Sequence, residues 1–222
     1  MRNIFLLVFV ICAQLSYGQI TKNLGDFDEV KVFDRISVEL IPSEANKIEI
    51  SGKRSGEVEI VNRNGELKIR MSLEKLLDGE DIQVRLFYTN VKSLDASEGS
   101  FISSAQTFKQ SSMDLTAKEG AQIKVDLDVL KANVKVVTGG IMRLSGKANT
   151  MDANLSTGGI LYAKDLLTSQ TDIDIKAGGE AEVNASDLVD ADVKAGGNVR
   201  IFGKPKQINK TTALGGSIEE SN

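Results

Sequence analysis

The chain has 222 residues, a formal charge of −4 and a pI near 5.1. That acidic balance argues against a nucleic-acid surface, which needs a basic face to meet phosphates. With no histidine, and with Cys12 as its single cysteine, the chain lacks the commonest general base and metal ligand and has no basis for a zinc cluster.

Met1 to Gly18 reads as an export signal. Arg2 gives a positive start, Ile4 to Ala13 the apolar stretch, and Ser16-Tyr17-Gly18 small residues at the cleavage positions. Cleavage after Gly18 removes Cys12, so the mature chain 19–222 carries no disulfide, which suits a bacterial periplasm or cell surface. The apolar stretch is too short to span a bilayer comfortably, so no membrane span is expected in the mature chain.

Residues 19–92 form an N-terminal β region. Phe27-Asp28-Glu29-Val30-Lys31-Val32 and Ile36-Ser37-Val38-Glu39-Leu40 alternate apolar and polar residues, the period of a half-buried strand. Val58-Glu59-Ile60 and Leu67 to Met71 flank Asn64-Gly65, a hairpin signal because both turn residues accept positive φ. Ser72 to Asp81 places Leu73, Leu76 and Leu77 at helix-like spacing until Gly79, and is expected to be a short helix or an excursion. Strand alternation returns at Ile82 to Leu86. No low-complexity linker follows, so a shared core is expected, with this part as an N-terminal cap.

Residues 93–222 carry a repeat. Glycine doublets at Gly139-Gly140, Gly158-Gly159, Gly178-Gly179, Gly196-Gly197 and Gly215-Gly216 follow two single copies, Gly99 and Gly120. The last glycines, Gly99, Gly120, Gly140, Gly159, Gly179, Gly197 and Gly216, step by 21, 20, 19, 20, 18 and 19 residues. A period near twenty sustained over half a chain marks a repeat architecture. Val136, Leu155, Ile175 and Val193 precede the corners at one phase, while Met142, Leu161, Ala181, Val199 and Ile218 follow at another. Each repeat therefore consists of strand, corner and strand. It hides its apolar edge only by stacking on the next, with backbone groups paired between coils. The expected fold is all-β, a β-solenoid of about twenty-residue coils; the competing architecture is an antiparallel sandwich with glycine-rich turns. Phe202-Gly203-Lys204-Pro205-Lys206 and the final Glu219-Glu220 are expected to close the C-terminal end against edge pairing.

Together these features resemble a known family, the auto-transporter adhesin head domain called the GIN domain. The resemblance rests on the signal peptide, the Phe27-Asp28-Glu29-Val30 strand, Asn64-Gly65-Glu66-Leu67, the corner doublets and Phe202-Gly203-Lys204-Pro205, and covers about residues 27 to 216. It departs from the family's Gly-Ser-Gly corner, since Thr138, Thr157, Ala177, Ala195 and Leu214 stand at the first glycine's place. The resemblance implies a right-handed β-helical, adhesin-like domain with no established enzymatic role. It supplies no site residues.

Ser72-Leu73-Glu74-Lys75 spells the S-x-x-K of penicillin-binding enzymes, but neither an S-D-N nor a K-T-G partner occurs. Three aspartate pairs, Asp126 with Asp128, Asp172 with Asp174 and Asp190 with Asp192, put both carboxylates on one side of a strand. Aligned between coils, they could bind Ca²⁺ or serve as acid and base on a polysaccharide. Lysines such as Lys176 and Lys194 mix with them, as on any solvated sheet face. Exposed aromatics suited to a glycan are scarce: only Tyr88 and Tyr162 beside six phenylalanines in the mature chain. Tyr162 has the outward phase. The expectation is an exported, non-enzymatic envelope or surface binding domain with no cofactor and no bound metal. Its expected partner is a glycan or another envelope protein. A carbohydrate-active hydrolase or lyase and a structural spacer are the alternatives.

Overall fold

The computed structural model describes residues 19–221. The export signal at Met1–Gly18 lies outside the described residues.

The chain winds into a β-solenoid of about 7 turns with coils of about 19 residues. Five long strands form its body: β9 (Phe101–Ala117), β10 (Gln122–Val137), β11 (Ile141–Ser156), β12 (Gly159–Ile175) and β13 (Gly179–Val193), preceded by β1 to β8 and followed by β14 to β16. Every pairing among the five is parallel, which rules out the antiparallel sandwich.

Each long strand serves two faces. In β10, Ile123, Val125, Leu127 and Val129 are buried, then Leu130 and Lys131 are both exposed, then Ala132, Val134 and Val136 are buried again. Two successive outward residues reverse the inward phase, so the chain turns a far corner there. The first half of each coil makes a front face and the second half a back face. The glycine corner returns the chain to the front.

The N-terminal strands extend both faces. β2 (Glu29–Val32) joins the back face through β8 (Ser93–Ala96), and β3 (Ser37–Pro42) joins the front face through β9. β6 (Glu66–Met71) adds to β2 and β7 (Gln83–Tyr88) to β3, again in parallel. Only the outermost strands are antiparallel: β5 (Val58–Arg63) on β6, and β4 (Lys47–Ser51) between β7 and the short β1 (Ile20–Asn23). The β5–β6 turn is the expected Asn64-Gly65, both at positive φ. One contiguous cluster of buried residues, from Phe27 to Ile201, fills the space between the faces. The expected helix after β6 is reduced to a 3₁₀ turn at Leu73–Lys75.

The register sorts the glycines into two columns. Gln122 pairs with both Phe101 and Ile141, so Gly99, Gly120, Gly139, Gly158, Gly178, Gly196 and Gly215 share the earlier column. All seven have φ between +65 and +87. Their N–H groups ladder the corners together, as Gly99 to Glu119 O (2.9 Å), Gly120 to Thr138 O (3.2 Å) and Gly139 to Thr157 O (3.0 Å). The next column holds Ser100, Ala121, Gly140, Gly159, Gly179, Gly197 and Gly216. Its glycines answer a different need. A Cβ on Gly140 would lie 2.3 Å from the carbonyl oxygen of Ala117 in the preceding coil. Ser100 meets the equivalent carbonyl with a hydrogen bond instead, its Oγ donating to Val32 O at 2.9 Å. Thr138 and Thr157, each one residue before a glycine of the earlier column, also have positive φ, at 50 and 52, a strained state for a β-branched residue.

Differences in repeat length are taken up away from these corners. Register shifts fall at Lys124/Asp126, Arg143/Ser145, Ala163/Leu167 and Thr168/Gln170, on the front face or at the far corner. The back-face halves stay in step from β9 through β13 and on to β15 (Gln207–Thr212).

The C-terminal end is closed by part of the expected set, Glu220, with Lys210 in place of the Phe202–Lys206 segment. Phe202 to Lys206 form the far corner between β14 (Asn198–Phe202) and β15, and the chain continues into β16 (Ser217–Glu220). Lys210 and Glu220 occupy the columns filled one coil earlier by the buried Ala191 and Ile201. They reach across between the two faces to pair at 2.8 Å, so the last coil carries inward-directed charges that oppose end-to-end association.

Gly139→Ala is expected to cost about 1–2 kcal/mol because alanine must adopt a left-handed backbone. Gly140→Ala should cost more, since the Ala117 carbonyl must move, and Thr138→Gly should raise the melting temperature; thermal unfolding ranks the three. Replacing Lys210 and Glu220 together by leucine should produce higher oligomers in size-exclusion chromatography, with the parent protein unchanged.

Candidate functional site

Because the back face stays in step, its outward residues stack coil upon coil, about 4.8 Å apart. One column runs Asp114, Asn133, Asp152, Asp172, Asp190, Asn209, and its neighbour Thr116, Lys135, Asn154, Asp174, Asp192, Thr211. The predicted pairs Asp172/Asp174 and Asp190/Asp192 therefore lie side by side in a strip. Asp126 and Asp128 are on the front face instead, where Ser145 Oγ donates to Asp126 at 2.8 Å and Lys147 pairs with Asp128 at 3.4 Å.

Cations accompany the strip. Lys176 lies 3.3 Å from Asp174, and Lys194 bridges Asp192 (3.0 Å) and Asp174 (3.9 Å). Asn154 donates to Asp152 at 3.0 Å and Asn133 to Asp114 at 2.6 Å. Asp172 has no such support among the described residues. Desolvation, then the carboxylates of Asp152, Asp190, Asp174 and Asp192, push its pKa above the ordinary carboxylate value. Hydrogen bonding to Asp192, ahead of the charges of Asp174 and Asp192, raises Lys194. A shallow depression of about 480 Å³ bordered by Asp114, Lys135, Asp152 and Lys176 lies on this strip. Among the described residues no group of three or more His, Cys, Asp or Glu could hold a metal ion. The carboxylates stand side by side on one face of a single sheet, whereas the acid and base of a glycoside hydrolase flank a glycosidic bond. The strip offers multipoint hydrogen bonds and charges to an extended polar partner.

The front face carries a second surface. Arg143, Tyr162, Glu182, Arg200 and Glu219 occupy one outward column. The Arg143 guanidinium lies 5.0 Å from the Tyr162 ring centroid, and Arg200 pairs with Glu182 at 2.8 Å. A depression of about 300 Å³ beside the ring reaches Asn198 and Ser217. Tyr162 has the outward position that its phase predicts. Tyr88 is buried and stacks on Phe108 with centroids 5.7 Å apart, and burial pushes its hydroxyl up to about 12. Ser72 and Lys75 of the S-x-x-K sequence bracket the 3₁₀ turn, where Lys75 N–H donates to Ser72 O.

The family model for the putative auto-transporter adhesin, head GIN domain, matches residues 26–205. The chain belongs to the GIN-domain family. This is the family that the sequence resemblance implied. A putative adhesin of Bacteroides fragilis has the same fold, with a TM-score of 0.83 at 16% identity over 93% of this chain and 98% of that one. A putative adhesin from Parabacteroides merdae reaches 0.72 at 18% identity, covering 92% and 96% of the two chains. A Parabacteroides distasonis protein described as a putative lipid binding protein reaches 0.68 at 14% identity, covering 92% and 96%. At these identities the likeness is one of fold. Among curated proteins none matches.

A raised carboxylate pKa costs folding stability wherever the group is charged. For Asp172 the penalty is absent below the ordinary aspartate value and complete above the raised one. Asp172→Asn is therefore expected to raise the melting temperature of this GIN domain at neutral pH. The gain should fade as pH falls into the acid range, as a pH series of thermal melts would show.

Proposed function

We propose that this GIN domain is an exported, non-enzymatic binding module of the cell envelope or cell surface, meeting a glycan or another envelope protein through its flat faces. Two facts support it: the adhesin family of the chain, and a back face that presents an unbroken in-step strip of polar side chains from Asp114 to Asn209. The strip carries the proposal. A surface built from aligned columns suits an extended partner contacted at many weak points, where affinity comes from their sum. Export is supported by the sequence of Met1 to Gly18 alone, and placement in the periplasm or at the surface follows from it.

A hydrolase or lyase working through the paired aspartates draws on the raised Asp172. Against it, lysines neutralise Asp174 and Asp192 directly. A purely structural spacer would need neither strip nor ring.

Mature protein on a glycan array and in envelope pull-downs should show saturable capture, weakened by Asp152→Lys with Asp190→Lys on the back face. Capture unaffected by these changes would move the contact elsewhere, and turnover of a captured polysaccharide would establish the hydrolase instead. Mass spectrometry of the exported protein should find Gln19 as the first residue.

A further inference from the structure

Three of the large apolar side chains that stand exposed belong to one short loop between β6 and β7: Leu73, Leu76 and Leu77, exposed by 72, 53 and 44%. The loop is firmly held. Asp34, itself almost wholly buried, accepts the N–H of Met71 on one carboxylate oxygen (3.0 Å) and that of Leu77 on the other (2.9 Å). Its backbone carbonyl accepts the N–H of Gly79 at 3.0 Å, so close that a Cβ on Gly79 would lie 2.3 Å from the oxygen. Leu77 is thereby kept at φ 64, a strained place for leucine. A buried carboxylate thus fixes a strained backbone whose effect is to hold aliphatic side chains in water.

Leu76 and Leu77 wall a depression of about 590 Å³, and the glycine corners of the first coils form its other side, with Arg35, Glu98, Gly99 and Glu119. Arg35 lines the depression itself and pairs with Glu80 at 3.5 Å, and Arg54 pairs with Asp78 at 2.6 Å. Glu98 and Glu119 have no cationic partner among the described residues. Burial, then the carboxylates of Asp34 and Glu119, raise Glu98 above its ordinary value. The depression therefore combines an aliphatic wall with a rim on which the carboxylates of Glu98 and Glu119 outnumber the single cation, Arg35.

We propose that this leucine-walled depression docks a lysine- or arginine-bearing segment of a partner protein. The methylene stem of the basic side chain lies on Leu76 and Leu77, and its head meets Glu98 and Glu119. Long basic side chains bury their stems on apolar surface while the charge stays at the rim. Charge complementarity decides the occupant: an anionic lipid surface would be repelled by the same carboxylates, and a second copy would bring an equally acidic corner. The inference rests on the binding role proposed above and adds a protein contact to it.

Fluorescence anisotropy of the mature protein with a labelled short peptide of alternating leucine and lysine, against its leucine–glutamate counterpart, tests it. The lysine peptide should bind, less tightly as salt rises, and the glutamate peptide should not. Leu76→Ser with Leu77→Gly should weaken binding by about tenfold or more, and Glu98→Gln with Glu119→Gln should weaken it and flatten its salt dependence. Since Leu77→Gly relieves the strained φ, an undiminished melting temperature separates lost docking from lost fold. Equal binding of both peptides, or binding indifferent to the leucine changes, overturns the inference. So does attachment to phosphatidylglycerol vesicles in place of the peptide. If peptide binding is indifferent to the leucine changes while glycan-array or pull-down capture persists, the docking site has failed and the binding role stands.

Discussion

Parallel pairing between coils imposes one condition on everything else in this molecule: each turn of chain must arrive at its corner in step with the turn before. The glycine corners meet that condition. A residue at φ of about +70 in every copy, followed by a small one pressed against the preceding coil's carbonyl, gives the chain one way to round the edge. The corner N–H groups then pair with the following corner, so the bend itself belongs to the ladder. Repeats nonetheless differ in length. The surplus is discharged as bulges on the front face and at the far corner, a usual place for an extra residue that cannot be paired.

That division of labour produces two unlike surfaces from one sequence period. The back face, free of bulges from β9 onward, aligns like residues and so concentrates charge. Its aspartates repel one another, as the upward shift of Asp172 records, and its lysines hold the strip together. The front face is interrupted, and its aligned outward column is short and mixed, with a tyrosine between arginine and glutamate. Function on such a scaffold belongs to the surfaces, because aliphatic side chains fill the interior.

The ends show the same logic. Antiparallel strands terminate the stack on the N-terminal side, and the charged pair Lys210–Glu220 occupies core columns on the other. An open parallel stack would otherwise recruit another edge. The leucine loop breaks this pattern of concealment. It leaves apolar side chains in water under the control of a buried aspartate, at a corner where Arg35, at φ 62, stands in the glycine column.

The sequence by itself determined the coil. Period-two alternation and recurring glycines are local signals, and they set strand phase, corner position and the buried columns Val136, Leu155, Ile175 and Val193 before any coordinates. It also determined Tyr162 as outward and Asn64-Gly65 as a hairpin turn. What it could not express was register between coils, since that depends on where each surplus residue is absorbed. Only the tertiary structure placed Gly99 and Gly120 with the first glycine of each doublet, and put Asp126 and Asp128 on the opposite face from the other aspartates. It also left Phe202–Lys206 at a far corner, brought Lys210 to the expected Glu220 at the closing coil, and turned Leu76 and Leu77 outward. Those outcomes turn on contacts between residues distant in the chain, such as the buried Asp34 carboxylate with Leu77, for which local sequence periodicity has no signature.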